Sequence, residues 1–280
     1  MTSTCLIQAM WVDLHIHTNF SDGTYSPGET VGFAKRANIS IISITDHDTV
    51  EGIEPALEAA KGSNITVIPG VELSARKEGK SIHILGYFID CKNKGLIDFL
   101  NWMKEARYKR AEKVIEKFRS FDIELDIQEV IKEAGPGVIG RTHIADVLVK
   151  RGNVNGIGEA FAKYLGYGKP CYIPKANVSP KEAIDIIKDA SGIPILAHPG
   201  LLSEDNWIPE LVTDGLEGIE VWYSRHSNNQ IEKYKSIAQK YNLLMSGGSD
   251  SHGRMKKYPL IGEYKLPYSC LKALLTKREI

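Results

Sequence analysis

The chain has 280 residues, a formal net charge of zero, 42% hydrophobic and 25% charged residues, the balance of an ordinary globular protein. That length suits one large domain, or one domain carrying an insertion. Zero net charge argues against a protein that coats nucleic acid or adsorbs to membranes, yet leaves room for a small anionic substrate in a local pocket. Cys5, Cys91, Cys171 and Cys270 are far apart and form no CxxC pair, which reads as incidental thiols in a reducing compartment. The start lacks a basic segment followed by an apolar core, and no apolar run approaches ~18 residues, so a cytoplasmic protein without leader or membrane span is expected.

In chain order, short runs rich in branched aliphatics predict buried parallel strands at 11–16, 39–45, 65–73, 81–89, 193–199, 218–222 and 243–248. Helical patterns separate most of them. In Ser26-Pro27-Gly28-Glu29, serine caps, proline fits the first turn and glutamate closes a capping box; Ser179-Pro180-Lys181-Glu182 repeats the arrangement. Strand and helix alternating over this length predict an α/β barrel or a doubly wound sheet. Residues 95–168 break the rhythm with helical spacing throughout and no strand run. They are expected to form a small all-helical insertion, ending at Gly166-Tyr167-Gly168-Lys169-Pro170, with 1–94 and 169–280 making up the α/β domain.

The chemistry lies at the strand ends. Alternation along the first strand puts Asp13, His15 and His17 on one face, so both imidazoles can address one ion. Asp22 follows in a Ser-Asp-Gly turn, then Thr45-Asp46-His47-Asp48, Gly70-Val71-Glu72, His83, Ala197-His198-Pro199 and Gly248-Ser249-Asp250-Ser251-His252. Singly, each has a bland reading: a lone histidine is usually a satisfied core residue, and Asp22 a turn former. Jointly, nine imidazoles and carboxylates delivered by successive strand ends point to a hydrolytic metal centre at the mouth of a barrel.

DLHIHTNFSDG, TDHD, PGVE, IHILGY, AHPG and GGSDSH occur in the order and spacing of the PHP (polymerase and histidinol phosphatase) metallophosphoesterases, which the chain resembles over nearly its whole length. The resemblance implies a distorted (β/α)7 barrel with a helical insertion. It is nearest the stand-alone phosphatases of nucleoside 3′,5′-bisphosphates, some of which also trim 5′-phosphorylated RNA. It further implies up to three divalent ions: His15, His17, Glu72 and Asp250 on the first, Glu72, His83 and His198 on the second, and Asp22, His47 and His252 on the third. Mn, Fe and Zn all suit such nitrogen and oxygen donors. Histidinol phosphate phosphatase, a metal-binding module without turnover, and an amidohydrolase are the alternatives. The complete ligand set, and a missing counterpart to the amidohydrolases' bridging lysine, weigh against the last two.

Further residues have expected roles on the rim. Arg141, Thr142 and His143 open a helix of the insertion, where a guanidinium and a helix N-terminus suit a phosphate; the plain reading is a solvated arginine and a helix-start histidine. Lys169 is a weaker candidate for the same contact. His226, after the sixth strand, is read as a phosphate contact, a proton donor to the leaving oxygen, or a loop histidine. Asp48, beside His47, either fixes that imidazole's tautomer or caps the next helix. The stretch 104–119 holds seven basic and three acidic residues, read as a solvated face with ion pairs or as a guide for an RNA 5′ end. The expected partners are a small phosphorylated nucleotide and short RNA, with no membrane and no obligate protein partner.

Overall fold

The computed structural model describes residues 10–202, 204–255 and 259–277; Cys5 and the first nine residues, on which the leader expectation rests, lie outside the described residues. The strands are β1 (Trp11–Ile16), β2 (Ile39–Ile44), β3 (Thr66–Lys77), β4 (Lys80–Tyr87), β5 (Ile193–Leu196), β6 (Gly218–Tyr223), β7 (Leu244–Gly248) and β8 (Leu266–Pro267). They form one sheet in the order β7-β6-β5-β4-β3-β2-β1-β8. β8 pairs only with Trp11 and Val12. Further along β1, the Asp250 amide donates to the His15 carbonyl at 2.8 Å and the His17 amide to Ser251 at 2.9 Å. Those bonds curl the sheet into a nearly closed barrel and carry the end of β7 to the end of β1.

One expectation is corrected. The run at 81–89 is not a parallel strand: β4 is antiparallel to both β3 and β5. Lys77 and Lys80 are joined by Glu78 (φ 49°) and Gly79 (φ 81°), a two-residue reversal with positive φ at both positions. A parallel return needs a crossover of about a dozen residues, and the chain has none there. The reversal brings the start of β4, with His83, to the same end of the barrel as the ends of its neighbours.

The helices are α1 (Pro27–Arg36), α2 (Ile53–Ala60), α3 (Lys94–Phe118), α4 (Ile127–Ala134), α5 (Arg141–Lys150), α6 (Ile157–Ala160, continued by a π-helical turn Phe161–Leu165), α7 (Pro180–Asp189), α8 (Ile208–Thr213), α9 (Asn228–Lys240) and α10 (Tyr268–Thr276). α1 and α7 begin with the two expected capping boxes, in which Glu29 and Glu182 accept from the Ser26 and Ser179 amides at 2.8 and 2.7 Å. A large apolar layer between sheet and helices holds Ile42, Ile44, Val71, Ile184, Ile187, Ile219 and Val221. A second joins Val12, Leu14, Leu85 and Ile195 to Leu271, Leu274 and Leu275 of α10. The helical insertion has its own core of Val114, Phe118, Val130, Ile144, Leu148 and Leu165, which reaches as far as Cys171. α3 belongs to both: Leu96, Leu100 and Met103 pack on the barrel, and the following turns on the insertion. The Val138 amide donates to Phe20 at 3.0 Å, holding the insertion over the loop that carries Asp22.

At the seam between β7 and β1 there is no room for a side chain. A Cβ on Gly248 would lie 2.4 Å from the His15 nitrogen and 2.9 Å from Asp13 Oδ1. Gly248→Ala should cost about 1–3 kcal/mol of unfolding free energy, the usual penalty of overpacking. A urea melt with an unchanged midpoint would contradict this account of the seam.

Candidate metal centre

Alternation along β1 turns His15 inward, and His17 just beyond the strand follows it. Glu72 and His83 project from within β3 and β4; the remaining donors lie in loops after strands, where three residues have left-handed backbone: Asp48 (φ 52°), His198 (φ 28°) and Asp250 (φ 56°). Such conformations cost of order 1–3 kcal/mol for residues other than glycine and persist where their surroundings over-determine them. Here the backbone supplies that constraint. The Asp48 amide donates to the Glu72 carbonyl and the Glu72 amide to Asp46, each at 3.1 Å, which locks His47 beside Glu72.

Glu72 is the centre of the arrangement. Its Oε2 lies 3.3 Å from His15 Nε2, 3.1 Å from His17 Nε2 and 3.1 Å from His47 Nδ1. Its Oε1 lies 2.8 Å from His83 Nδ1 and 3.0 Å from His198 Nε2. Asp250 Oδ1 stands 3.3 Å from His15 Nε2 and 3.1 Å from His17 Nε2. Asp22 Oδ1 approaches His252 Nε2 at 3.3 Å, and the His17 ring stacks on His252 with centroids 4.1 Å apart. All nine residues thus meet at one mouth. Three sets have donor atoms within 4.8 Å of one another: His15, His17, Glu72 and Asp250; His17, Asp22, His47 and His252; and His47, Glu72 and His83. The first set matches the one implied by resemblance. In the other two, His47 is shared, and His198 joins through Glu72 Oε1.

These donors fit cations better than they fit each other. Among the described residues His17 Nδ1 and Nε2, Asp22 Oδ1, His47 Nδ1 and His83 Nδ1 are buried without a hydrogen-bonded partner, although imidazole nitrogens and carboxylate oxygens stand 2.8–4.0 Å apart there. Atoms this close but misaligned are aimed at common points between them. Burial depresses His47 well below the ordinary imidazole range and His83 to about 4, whereas the carboxylates of Glu72 and Asp250 overcome burial and raise both His15 and His17. Burial works against ionisation of Glu72 and Asp250, but the surrounding imidazoles outweigh it and hold both carboxyls well below their usual range.

A supporting layer lies beneath. Glu220 Oε1 is 2.9 Å from His15 Nδ1, and its Oε2 accepts from the His198 amide at 2.7 Å. Tyr223 donates to Asp250 Oδ2 at 2.9 Å. A fully buried acid within the apolar run GIEVW was a visible signal for Glu220 that sequence reasoning passed over. Arg107, Arg110 and Lys175 were missed as well, with less to betray them. Asp48 neither caps α2, whose cap position is Gly52 with no side-chain cap, nor bonds to His47. Its Oδ1 accepts from the Ser74 amide at 2.7 Å and its Oδ2 from Arg107 Nε at 2.9 Å, so it ties α3 to the barrel rim. Lys175 Nζ donates to Ser74 Oγ and reaches His83 Nε2, both at 3.0 Å; burial and the nearby Arg107 lower it to about 7. The stretch 104–119 is therefore not a plain solvated face, because Arg107 turns in to Asp48 and Arg110 Nε donates to Ile173 at 2.8 Å.

The remaining rim residues divide. Arg141 Nη1 donates to Leu165 at 2.7 Å, with its guanidinium near the rings of Phe161 and Tyr172. Thr142 Oγ1 is buried without a partner. His143 Nδ1 accepts from the Gly140 amide at 3.1 Å, and its ring feels the charge of Asp22. Lys169 is exposed. His226 is pinned at both nitrogens: Nδ1 lies 3.0 Å from the Val221 carbonyl and Nε2 accepts from the Gly200 amide at 3.1 Å. With donor and acceptor both spent on backbone, this ring anchors the loop after His198 and has no nitrogen left for substrate.

The PHP domain family model matches residues 13–119. The 5′-3′ exoribonuclease Rnm of Escherichia coli is 34% identical over 251 residues, covering 87% of this chain and 86% of that protein. The 3′,5′-nucleoside bisphosphate phosphatase of Chromobacterium violaceum is 32% identical over 247 residues, covering 86% and 87%. A solved structure from Bifidobacterium adolescentis, described as that of a metal-dependent phosphoesterase, superposes with a TM-score of 0.86 at 33% identity, covering 95% of this chain and 96% of that one.

Glu220→Gln replaces the charge that orients His15 while keeping shape. The expected outcome is a metal affinity lower by about 10–100-fold with circular dichroism unchanged. Titration of the metal-free protein checks it, and an affinity equal to the native one would remove the role assigned to Glu220.

Proposed function

Because the chain belongs to the PHP domain family, we propose that it is a metal-dependent phosphoesterase that removes the 3′-phosphate of nucleoside 3′,5′-bisphosphates and also trims short 5′-phosphorylated RNA. The observation that carries the substrate reading is a surplus of cations beside the metal ligands. Arg107, Arg110, Arg141 and Lys175 lie within electrostatic reach of one another, and of these Arg107 and Lys175 face a buried carboxylate, Asp48. Arg110 Nη2 and Thr142 Oγ1 are buried and unpartnered in the same region. A bisphosphate brings two anionic groups, one for the histidine-lined mouth and one for these donors. The names of the relatives from Escherichia coli and Chromobacterium violaceum fit this reading and not histidinol phosphate phosphatase.

Two or three divalent ions (Mn, Fe or Zn), held by the nine imidazoles and carboxylates, would supply positive charge to the phosphoryl oxygens and make water more acidic. The chain's own residues do the rest. Glu72 and Asp250 keep their charge and fix the spacing of the imidazoles around them. Glu220 holds the His15 ring from behind, with Nε2 toward the mouth. Arg107, committed to Asp48, keeps α3 against the rim. Arg141, with Thr142 and His143 at the start of α5, grips the 5′-phosphate, and Lys169 lends charge from the turn above. No helix among the described residues is long and apolar enough to cross a membrane, and the reaction proposed takes place in the cytoplasm.

Phosphate release with Mn added, measured on adenosine 3′,5′-bisphosphate, AMP, histidinol phosphate and a 5′-phosphorylated RNA, should rank the bisphosphate first. Histidinol phosphate turning over fastest would overturn the substrate assignment. Arg141→Met should raise KM for the bisphosphate by about 10–100-fold, the effect of losing a charged hydrogen bond, and leave that for adenosine 3′-phosphate nearly as it was. Equal losses on both substrates would place Arg141 outside the 5′-phosphate contact.

A further inference from the structure

Tyr167 is the most exposed of the large apolar side chains among the described residues, 77% open to solvent. Its backbone is nonetheless firmly held. The Lys169 amide donates to the Gly166 carbonyl at 3.0 Å, and Gly168 has φ 72°. That is a tight turn whose third position needs the positive φ that glycine adopts freely. The Tyr172 amide bonds back to Lys169 at 2.9 Å and the Cys171 amide to Tyr164 at 3.0 Å, fastening the turn to the insertion core. The Tyr167 ring meets Tyr172 edge-on, with centroids 5.4 Å apart, and the Arg141 guanidinium lies 5.3 Å from the Tyr172 centroid. A preorganised turn thus holds an unburied ring one ring's width from the arginine assigned to phosphate, with the Lys169 ammonium two residues on.

An aromatic ring so exposed adds little to stability, but it is ready to cover something flat. Rings interleaved with cations are how proteins hold nucleotides without reading sequence, because every base has a π-face. We infer that Tyr167 is a specificity-determining residue that stacks on the nucleobase of the substrate while Arg141 holds its phosphate. The inference rests on the nucleotide reading above. It adds that base-bearing phosphates are preferred over sugar phosphates, with little discrimination among the four bases.

The test compares the affinity of the metal-loaded protein for AMP and for ribose 5-phosphate by calorimetry. The native protein should bind AMP more tightly by about tenfold or more, the worth of one stacked base. Tyr167→Ala should erase that ratio while leaving ribose 5-phosphate affinity within about twofold, and Tyr167→Trp should keep it. A ratio near one in the native protein, or a ratio that survives Tyr167→Ala, overturns the inference. So does equal weakening of both ligands, which would mark the turn as purely structural. Turnover of the bisphosphate by the native protein judges the proposed reaction separately, since the affinity ratio does not depend on which phosphate is cleaved.

Discussion

Everything at the mouth of this barrel is arranged about one buried carboxylate. The two oxygens of Glu72 divide five imidazoles between them, those of His15, His17 and His47 on one and those of His83 and His198 on the other. A single side chain can do this only if the first five strands and the loops that follow them bring their donors within a few ångströms of one another. The sheet meets the requirement with backbone devices. The hairpin at Glu78-Gly79 returns His83 to the mouth, the ladder between Asp46, Asp48 and Glu72 holds His47, and the seam at Gly248 carries Asp250 against His15. Burying so much charge would be prohibitive if the groups were left unpaired. Imidazoles set around each carboxylate offset part of that cost, and Glu220 and Tyr223 brace the layer from below.

The helical segment between β4 and β5 is fastened to the barrel beside this mouth. Its long first helix belongs to both cores, and Arg107 is the point at which it is joined electrostatically to the barrel through Asp48. Because the guanidinium of Arg107 is answered by that carboxylate, the charges left over are those of Arg110, Arg141 and Lys175. The anionic mouth and the cationic rim are therefore distinct: the first is suited to cations, the second to anions. His226 spends both nitrogens on backbone to hold the loop that follows His198.

The sequence made legible what depends on local periodicity. HxH on a strand, acids in short turns after apolar runs and serine-proline helix starts all follow from neighbour relations, and these residues stand where the spacing put them. The direction of β4 was not legible in the same way. A parallel strand and an antiparallel one share the same apolar run, and the two-residue reversal at Glu78-Gly79 resembles any polar pair. Arg107 and Lys175 were hidden for another reason: a cation in a basic helix or a polar loop becomes informative only when the fold sets a buried acid or an imidazole beside it. Asp48 and His226 show the converse. Proximity in sequence to a ligand or a rim suggested chemistry, whereas their hydrogen bonds assign them to holding the frame.

The most direct measurement is anomalous diffraction from crystals of the metal-loaded protein. The account predicts ions on both oxygens of Glu72, one also bonded to Asp250 and the pair His15 and His17, another to His83 and His198. Ions bound elsewhere, or a Glu72 side chain that touches no metal, would contradict it.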